Sequence, residues 1–227
     1  MLIVRTPKFI TRLMPRMTWG FYGEINKVFL TFDDGPTPEV TPWVLDRLDE
    51  FEAKATFFCL GRNVDHYPEV FKMIIDRGHS VGNHTYSHLK GFGSLNRHYY
   101  EDIELAHSFI NSDLFRPPYG RIGPFQVRQI VKNYRIIMWD VLSIDYNKRL
   151  SGERVYKNVV NNVGSGSIVV FHDSDKARKN LYYALPKTLE FLRENNYEML
   201  SIPMKKFKAD RMWLKGISEK KTGTNIW

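Results

Sequence analysis

Short apolar segments alternate with amphipathic segments along most of this 227-residue chain. The apolar segments predict strands at 27–32, 55–59, 79–82, 114–116, 135–139, 167–172 and 197–201. The segments between them predict helices at about 39–51, 67–77, 97–111, 124–132, 153–162 and 181–195. This alternation predicts an α/β fold with a parallel sheet, either closed as a barrel or open. In both arrangements ligands bind at the carboxyl ends of the strands.

The net charge of +8 is carried by the two ends of the chain. Residues 1–27 hold five basic residues and one acid, and residues 203–227 hold seven basic residues and two acids. Residues 28–202 hold 21 basic and 22 acidic residues, which does not fit a nucleic-acid partner. The ends are interpreted as solvated basic tails. The alternative is docking onto an anionic membrane or cell-wall polymer, because the ends also hold Trp19 and Trp213.

The compartment is predicted from the lack of an export signal. Cys59 is the single cysteine, so an internal disulfide is impossible, which excludes a cysteine-rich secreted scaffold but not an oxidising compartment. The N-terminus lacks the apolar stretch of a signal peptide, which predicts a cytoplasmic protein, with the cell envelope as the alternative. No obligate protein partner is expected. The predicted organisation is a basic N-terminal extension over 1–26, one domain over 27–202 and a basic tail over 203–227.

Two adjacent aspartates, Asp33 and Asp34, follow the first predicted strand in the motif TFDDGP. Like charges that close disfavour each other's ionised form, so the pair must be compensated or take part in chemistry. The alternative is a structural one, in which an aspartate caps the turn at Gly35 and Pro36.

His84 and His88 lie four residues apart in the motif HTYSH, after the third predicted strand. On a helical turn they would project to one face and could bind one metal ion together with a carboxylate. The spacing alone is equally compatible with two unrelated histidines. The aspartate pair could supply the missing carboxylate ligand.

Further polar residues follow the later strands. Arg116 precedes two prolines in RPPYG, a rigid turn that could direct a backbone N–H at a developing oxyanion, or could be an ordinary surface loop. His172 ends the sixth predicted strand and could be a general acid or a structural histidine. Asp140 and Asp145 follow the fifth strand.

Taken together, TFDDGP, HTYSH, RPPYG and VVFHD resemble, in this order, the motif set of the polysaccharide deacetylases, carbohydrate esterase family four, with its NodB-homology domain. The resemblance covers roughly residues 27–201. It implies a distorted (β/α) barrel with about seven parallel strands. It also implies removal of acetyl groups from N-acetylated sugars, such as N-acetylglucosamine residues in peptidoglycan or chitin oligomers.

The resemblance implies a metal site with two histidines and one carboxylate. Asp34, His84 and His88 would bind a divalent metal and leave coordination positions open, as a catalytic metal requires. Zinc suits this ligand set best, with cobalt, nickel and manganese as alternatives.

The resemblance also implies roles in proton transfer and substrate binding. Asp33 would be the general base, and Arg116 would hold it in place. His172 would be the general acid, and Asp145 would tune it. Tyr119 would give its backbone N–H to the oxyanion hole. The implied substrate-contacting residues are Pro118, Tyr119 and Tyr146.

One motif departs from the family pattern, which usually has an Asp-x-x-Asp-Trp run after the fifth strand. The corresponding run here is LSIDY, in which Leu142 replaces the first Asp and Tyr146 replaces the Trp. Asp140 could replace the lost Asp only through a strand shift. Two rival functions remain: hydrolysis of non-sugar amides, and carbohydrate binding without activity.

Overall fold

A computed structural model describes residues 3–206 of the chain. Most of the predicted basic tail, including Trp213 and Trp227, lies outside these residues. The strands are β1 (Met17–Thr18), β2 (Lys27–Asp33), β3 (Ala55–Cys59), β4 (Ser80–Asn83), β5 (Leu114–Phe115), β6 (Arg135–Ile137), β7 (Val141–Leu142), β8 (Ile168–His172) and β9 (Glu198–Met199).

The helices surround this sheet, and their bounds are α1 (Lys8–Leu13), α2 (Val40–Glu50), α3 (Gly61–His66), α4 (Pro68–Asp76), α5 (Asn96–His107), α6 (Pro124–Ile130), α7 (Gly152–Val160) and α8 (Arg178–Glu194). All six predicted helices are present. The sequence did not predict α1 and α3, because each has only six residues and too few turns for a clear apolar period. Within residues 3–206, no helix is long and apolar enough to cross a bilayer.

The strands form one parallel sheet in the order β1-β6-β5-β4-β3-β2-β8-β7, with β9 beside the start of β2. The strands β6 and β7 lie near opposite ends of this order, yet only residues 138–140 separate them. Three residues span roughly 10 Å, so the two ends of the sheet must approach each other. The sheet is therefore curled into a distorted barrel, which confirms the predicted fold class with more strands than the sequence indicated.

Strand β2 lies inside the sheet between β3 and β8, and its side chains alternate between the two faces. On the outer face, Phe32 stacks between Phe57 and Phe171, with ring centroids 5.1 and 6.0 Å away, beneath the helices. On the other face, Thr31 and Asp33 follow each other towards the carboxyl end of the strand. The period of two thus turns Asp33 into the interior of the barrel.

The N-terminal segment packs against the barrel. Strand β1 pairs with β6, and Met17 and Trp19 are buried. The N–H of Phe21 donates to the carbonyl of Gly166 at 2.7 Å. The solvated-tail interpretation is therefore wrong for this part of the N-terminus, and the buried Trp19 cannot be a docking side chain.

The contact between Phe21 and Gly166 provides a stability test. Gly166 has a φ of +78°, and a Cβ there would lie 2.1 Å from the carbonyl oxygen of Phe21. We expect Gly166→Ala to lower the free energy of unfolding by about 2 kcal/mol or more, because the alanine adds left-handed strain to a backbone clash. Urea unfolding checks this.

The matched control is Gly164→Ala, since a Cβ at Gly164 meets nothing within 4 Å. We expect its stability to stay within about 0.5 kcal/mol of the unmodified protein. Equal stabilities of the two variants would show that the N-terminal segment is not packed as described.

Candidate active site

The two adjacent aspartates face different partners. Asp33 ends β2, and its Oδ1 accepts a hydrogen bond from Nη1 of Arg116 at 2.7 Å. Asp34 has a φ of +78°, so the backbone turns sharply between the two residues before a cis Gly35–Pro36 peptide. This left-handed turn directs the Asp34 carboxylate towards His84 and His88 instead.

Asp34, His84 and His88 form a cluster with the composition of a metal site. One ligand atom of each residue lies within 4.8 Å of the others. Oδ1 of Asp34 is 3.7 Å from Nε2 of His84 and 3.2 Å from Nε2 of His88. This oxygen is buried and accepts no well-aligned hydrogen bond among the described residues. A buried carboxylate oxygen facing two imidazole nitrogens fits a divalent cation.

The hydrogen bonding of His84 leaves one ring nitrogen free for a ligand. Its Nδ1 lies 2.8 Å from the carbonyl oxygen of Arg116. A carbonyl only accepts, so Nδ1 carries the proton and Nε2 presents a lone pair to Asp34. Burial lowers the pKa of His84 to about 4, which keeps the ring neutral at physiological pH. A neutral imidazole is the form that binds metal.

The segment between the two histidines is a loop and not the helical turn that their spacing suggested. Thr85 and His88 both have left-handed backbones, with φ of +66° and +65°. The carboxylate of Asp102, on α5, accepts hydrogen bonds from the N–H groups of Tyr86 and Ser87, each at 3.0 Å. The imidazoles therefore converge because a helix carboxylate holds the loop.

Arg116 is fully buried, so the surface-loop alternative is wrong. Besides Asp33, its guanidinium donates to Oγ1 of Thr31 at 2.8 Å and to the carbonyls of Ile137 and Met138 at 3.1 and 3.0 Å. The fixed fork of guanidinium donors explains why an arginine suits this position. The pair connects β2 to the end of β6 through the barrel interior.

His172 lies beside Asp33 across the β2–β8 register. Its Nδ1 is 2.7 Å from Oδ1 of Asp145, and its backbone N–H donates to Oδ2 at 2.8 Å. Burial alone would lower the pKa of His172, but the charge and hydrogen bond of Asp145 raise it to about 9. The imidazole is therefore protonated at neutral pH. Asn180 holds the loop by donating to the carbonyl of Asp145 at 3.0 Å.

Two tyrosines contact different histidines of the site. The ring of Tyr146 meets His172 edge-on with centroids 4.9 Å apart, and the ring of Tyr119 is 4.5 Å from that of His88. Tyr119 is 64% exposed and has a left-handed backbone in a short turn. Pro118 begins the same turn and is buried.

Asp140 is not at the site, although it follows a strand. Its carboxylate accepts hydrogen bonds from Oγ of Ser167 and from the N–H of Ile168, at 2.9 and 2.8 Å. Ile168 begins β8 and His172 ends it, so Asp140 lies roughly 13 Å away at the other end of the barrel. Asp140 therefore cannot replace the aspartate that the family usually has at the position of Leu142.

Asp173 is a site residue whose role the sequence did not reveal. It is buried, and its two carboxylate oxygens accept hydrogen bonds from the N–H of Gly35 at 3.1 Å and from Oγ1 of Thr41 at 2.6 Å. Burial raises its pKa to about 7. Asp173 thereby ties the turn after Asp34 to α2. The sequence feature that could have indicated this role is the position of Asp173 directly after His172 in the motif VVFHD.

Comparisons with known proteins identify the family of this chain. The family model described as polysaccharide deacetylase matches residues 23–138. A peptidoglycan-N-acetylglucosamine deacetylase of Bacillus cereus is 34% identical over 199 residues, which cover 83% of this chain and 72% of that protein.

Solved structures of polysaccharide deacetylase relatives are also similar to this chain. A peptidoglycan N-acetylglucosamine deacetylase structure superposes with a TM-score of 0.77 at 30% identity, covering 87% of this chain and 95% of that one. A carbohydrate esterase family four pseudoenzyme from Bacillus anthracis has a TM-score of 0.70 at 27% identity, covering 81% and 66%. The family match over half of the chain, together with these relatives, shows that this chain belongs to the polysaccharide deacetylase family.

Proposed function

We propose that this chain is a metal-dependent hydrolase that removes acetyl groups from N-acetylated sugars. The expected substrates contain N-acetylglucosamine, in peptidoglycan, chitin oligomers or a similar polysaccharide. The observation that carries the proposal is the arrangement at one end of the barrel. There the potential metal-binding cluster around Asp34 lies beside the Arg116–Asp33 pair and the Asp145–His172 pair.

Asp34, His84 and His88 would hold the metal. The neutral Nε2 of His84 and the buried oxygen of Asp34 are suitable ligand atoms. Burial raises the pKa of Asp34, but the nearby His88, His172 and His84 outweigh this effect and hold it well below the usual range. A bound divalent cation supplies Lewis-acid chemistry, because it polarises a carbonyl oxygen and acidifies water. Zinc is proposed first, with cobalt, nickel and manganese as alternatives.

Asp33 would be the general base that takes a proton from the attacking water. Its bond to the buried Arg116 fixes the orientation of the carboxylate. The arginine uses only Oδ1, so the second carboxylate oxygen is available to accept that proton.

His172 would be the general acid that protonates the departing nitrogen. An amine is a poor leaving group unless it is protonated, so this step needs an acid that holds its proton at neutral pH. The pKa of about 9 that Asp145 gives His172 meets this requirement. The bond from Nδ1 to Asp145 also directs Nε2 away from that carboxylate and leaves it free to donate.

Tyr119 and Tyr146 would bind the substrate between them. The backbone N–H of Tyr119, in its left-handed turn next to His88, is proposed to stabilise the oxyanion. Tyr146, next to His172, would form the wall near the acetyl group in place of the usual tryptophan. This replacement, with Leu142 nearby in sequence, is expected to alter substrate preference.

An inactive carbohydrate-binding protein is the rival interpretation, since a pseudoenzyme shares the fold. A protein that only binds carbohydrate needs neither a general base, nor a residue that orients the base, nor a general acid. This chain retains Asp33, Arg116 and His172 in mutual reach. Hydrolysis of a non-sugar amide would use the same groups, so a substrate panel must separate that possibility.

The first prediction tests the function and the metal together. We expect the purified, metal-loaded protein to release acetate from N-acetylglucosamine oligomers or peptidoglycan. His84→Ala removes one ligand, so it should lose both the bound metal after dialysis and the acetate release. Metal content by elemental analysis and acetate by enzymatic assay measure the two losses.

His66→Ala is the matched control, because His66 is exposed and bonds only to the carbonyl of Arg62 among the described residues. It should keep both properties. No acetate from any sugar substrate with metal present would refute the function, and full metal retention in His84→Ala would refute the ligand assignment.

The second prediction separates the two aspartates. Asp33→Asn keeps an oxygen that accepts from Arg116 but removes the base, so we expect normal metal content and a roughly 100- to 10,000-fold lower kcat. Asp113→Asn, which changes a partly exposed pair with Arg135 outside the site, is the control and should leave kcat unchanged. Normal turnover of Asp33→Asn would end the general-base assignment.

The third prediction concerns pH. Because His172 acts in its protonated form, the rate falls as the pH rises through its pKa. Asp145→Asn removes the charge that raises this pKa, so the basic limb of kcat/KM should move down by about one to two pH units. Asp175→Asn removes an exposed charge three residues from His172 and should not move the limb. An unshifted limb in Asp145→Asn would contradict the acid assignment.

A further inference from the structure

Residues 1–23 and residues 114–139 contain no acidic residue. They are far apart in sequence but pack together, because β1 pairs with β6 and the N–H of Met138 donates to the carbonyl of Thr18. The fold therefore brings a basic residue from each segment, Arg16 and Arg128, to one groove.

A groove of about 460 Å³ lies between these segments. One wall of the groove is formed by the end of α1 and the residues that follow it, and the other wall is formed mainly by α6. The lining is mostly apolar, and its main apolar side chains are Leu13, Met14, Met17, Ile122, Phe125 and Val127. Several project into solvent: Leu13 is 76% exposed, Met14 43% and Phe125 79%. Phe9, on α1, is 63% exposed, and no residue of α1 is buried.

Arginines accompany this apolar surface. Arg16 and Arg128 line the groove, and Arg12 lies on the last turn of α1. Among residues 3–206, none of the three forms an ion pair with an acid. Exposed aromatic and aliphatic side chains next to unpaired cations are the composition of surfaces that lie in the headgroup region of an anionic membrane. We call this surface the basic groove face, defined by Phe9, Arg12, Leu13, Met14, Arg16, Phe125 and Arg128.

We propose that the basic groove face docks the protein onto the surface of an anionic lipid bilayer. The apolar side chains would enter the acyl boundary, and the arginines would contact lipid phosphates. The groove begins three residues after Tyr119, so docking would hold the site close to the membrane surface. The proposal does not depend on the proposed deacetylase activity, because docking involves none of the site residues.

Charge argues against two other occupants. The rest of the chain leaves the described part at Lys206, after Lys205 has bonded to Asp113. Residues 207–227 hold five basic and two acidic residues, so this segment has the same sign as the arginines of the face. A second copy of the face would bring like charges together in the same way. A lipid surface has the opposite sign and accepts the apolar side chains as well.

A soluble anionic polymer is the remaining alternative, and the apolar side chains distinguish it from lipid. A polymer of glycerol phosphate would pair with Arg12, Arg16 and Arg128. It offers no apolar phase for Leu13 and Phe125, whose exposure is unfavourable in water. The combined composition therefore favours lipid.

The test is co-sedimentation of the full-length protein with vesicles. One set contains about one third phosphatidylglycerol in phosphatidylcholine, and the other contains phosphatidylcholine alone. We expect binding to the anionic set only, weakened by salt. The triple variant Arg12→Gln, Arg16→Gln, Arg128→Gln should bind roughly 10- to 100-fold more weakly. The double variant Leu13→Ser, Phe125→Ser should also lose at least about tenfold in partitioning.

The matched controls lie on other faces. Lys179→Gln, Lys187→Gln, Arg193→Gln removes three positive charges from α8, and Ile75→Ser removes an apolar side chain that is 42% exposed on α4. Both should bind like the unmodified protein, and acetate release from a soluble oligosaccharide should be unchanged throughout. Equal binding of both vesicle types, no binding, or equal losses in the controls would overturn the proposal.

A labelling experiment identifies what covers the groove. Cys59 is buried, so Leu13→Cys offers one accessible thiol for an environment-sensitive fluorophore. We expect an emission blue shift on adding phosphatidylglycerol vesicles and none on adding poly(glycerol phosphate). An emission that is already blue-shifted without lipid and does not change on addition would mean that protein covers the groove. A shift with the polymer alone would mean that the partner is not a bilayer.

Discussion

The buried ion pair between Arg116 and Asp33 is the interaction on which the rest of the site depends. Arg116 is inaccessible to solvent, and its donors reach Thr31, Asp33 and the backbone at the end of β6. A buried arginine without its carboxylate would be an uncompensated charge that costs about 3–5 kcal/mol. The pair therefore fixes both the interior of the barrel and the position of the proposed base. The carbonyl of Arg116 also sets the tautomer of His84, so one residue orients both halves of the site.

The adjacency of two aspartates is explained by the left-handed turn between them. Asp33 keeps the strand direction and faces Arg116, while Asp34 turns away towards the two histidines. Asp173 stabilises this turn by accepting the N–H of Gly35. Asp33 thus pairs with the positive charge of Arg116, and Asp34 faces the two histidines with which it could bind a metal. These separate partners offset the repulsion that two neighbouring negative charges would otherwise experience. The proposed division into a ligand and a base follows from this separation.

Much of the architecture could be predicted from the sequence, because apolar period and strand-end polarity are local signals. The four motifs indicated the residues that converge, and Asp33, His84 and His172 do lie together. Long-range features were not predictable: the additional short strand β7 after β6, the burial of Trp19, and the position of Asp140 at the opposite end. Each of these depends on which strands become neighbours when the sheet curls, and no local pattern encodes that pairing.

The proposed division of roles requires that Asp34 binds a metal while its neighbour Asp33 does not. A crystal structure of the zinc-loaded protein with acetate tests this division. We expect the ion to bond to Asp34, His84 and His88 at about 2.0–2.2 Å. We also expect Asp33 to stay on Arg116 without touching the metal. An ion bonded to Asp33, or one bound away from the two histidines, would refute the division.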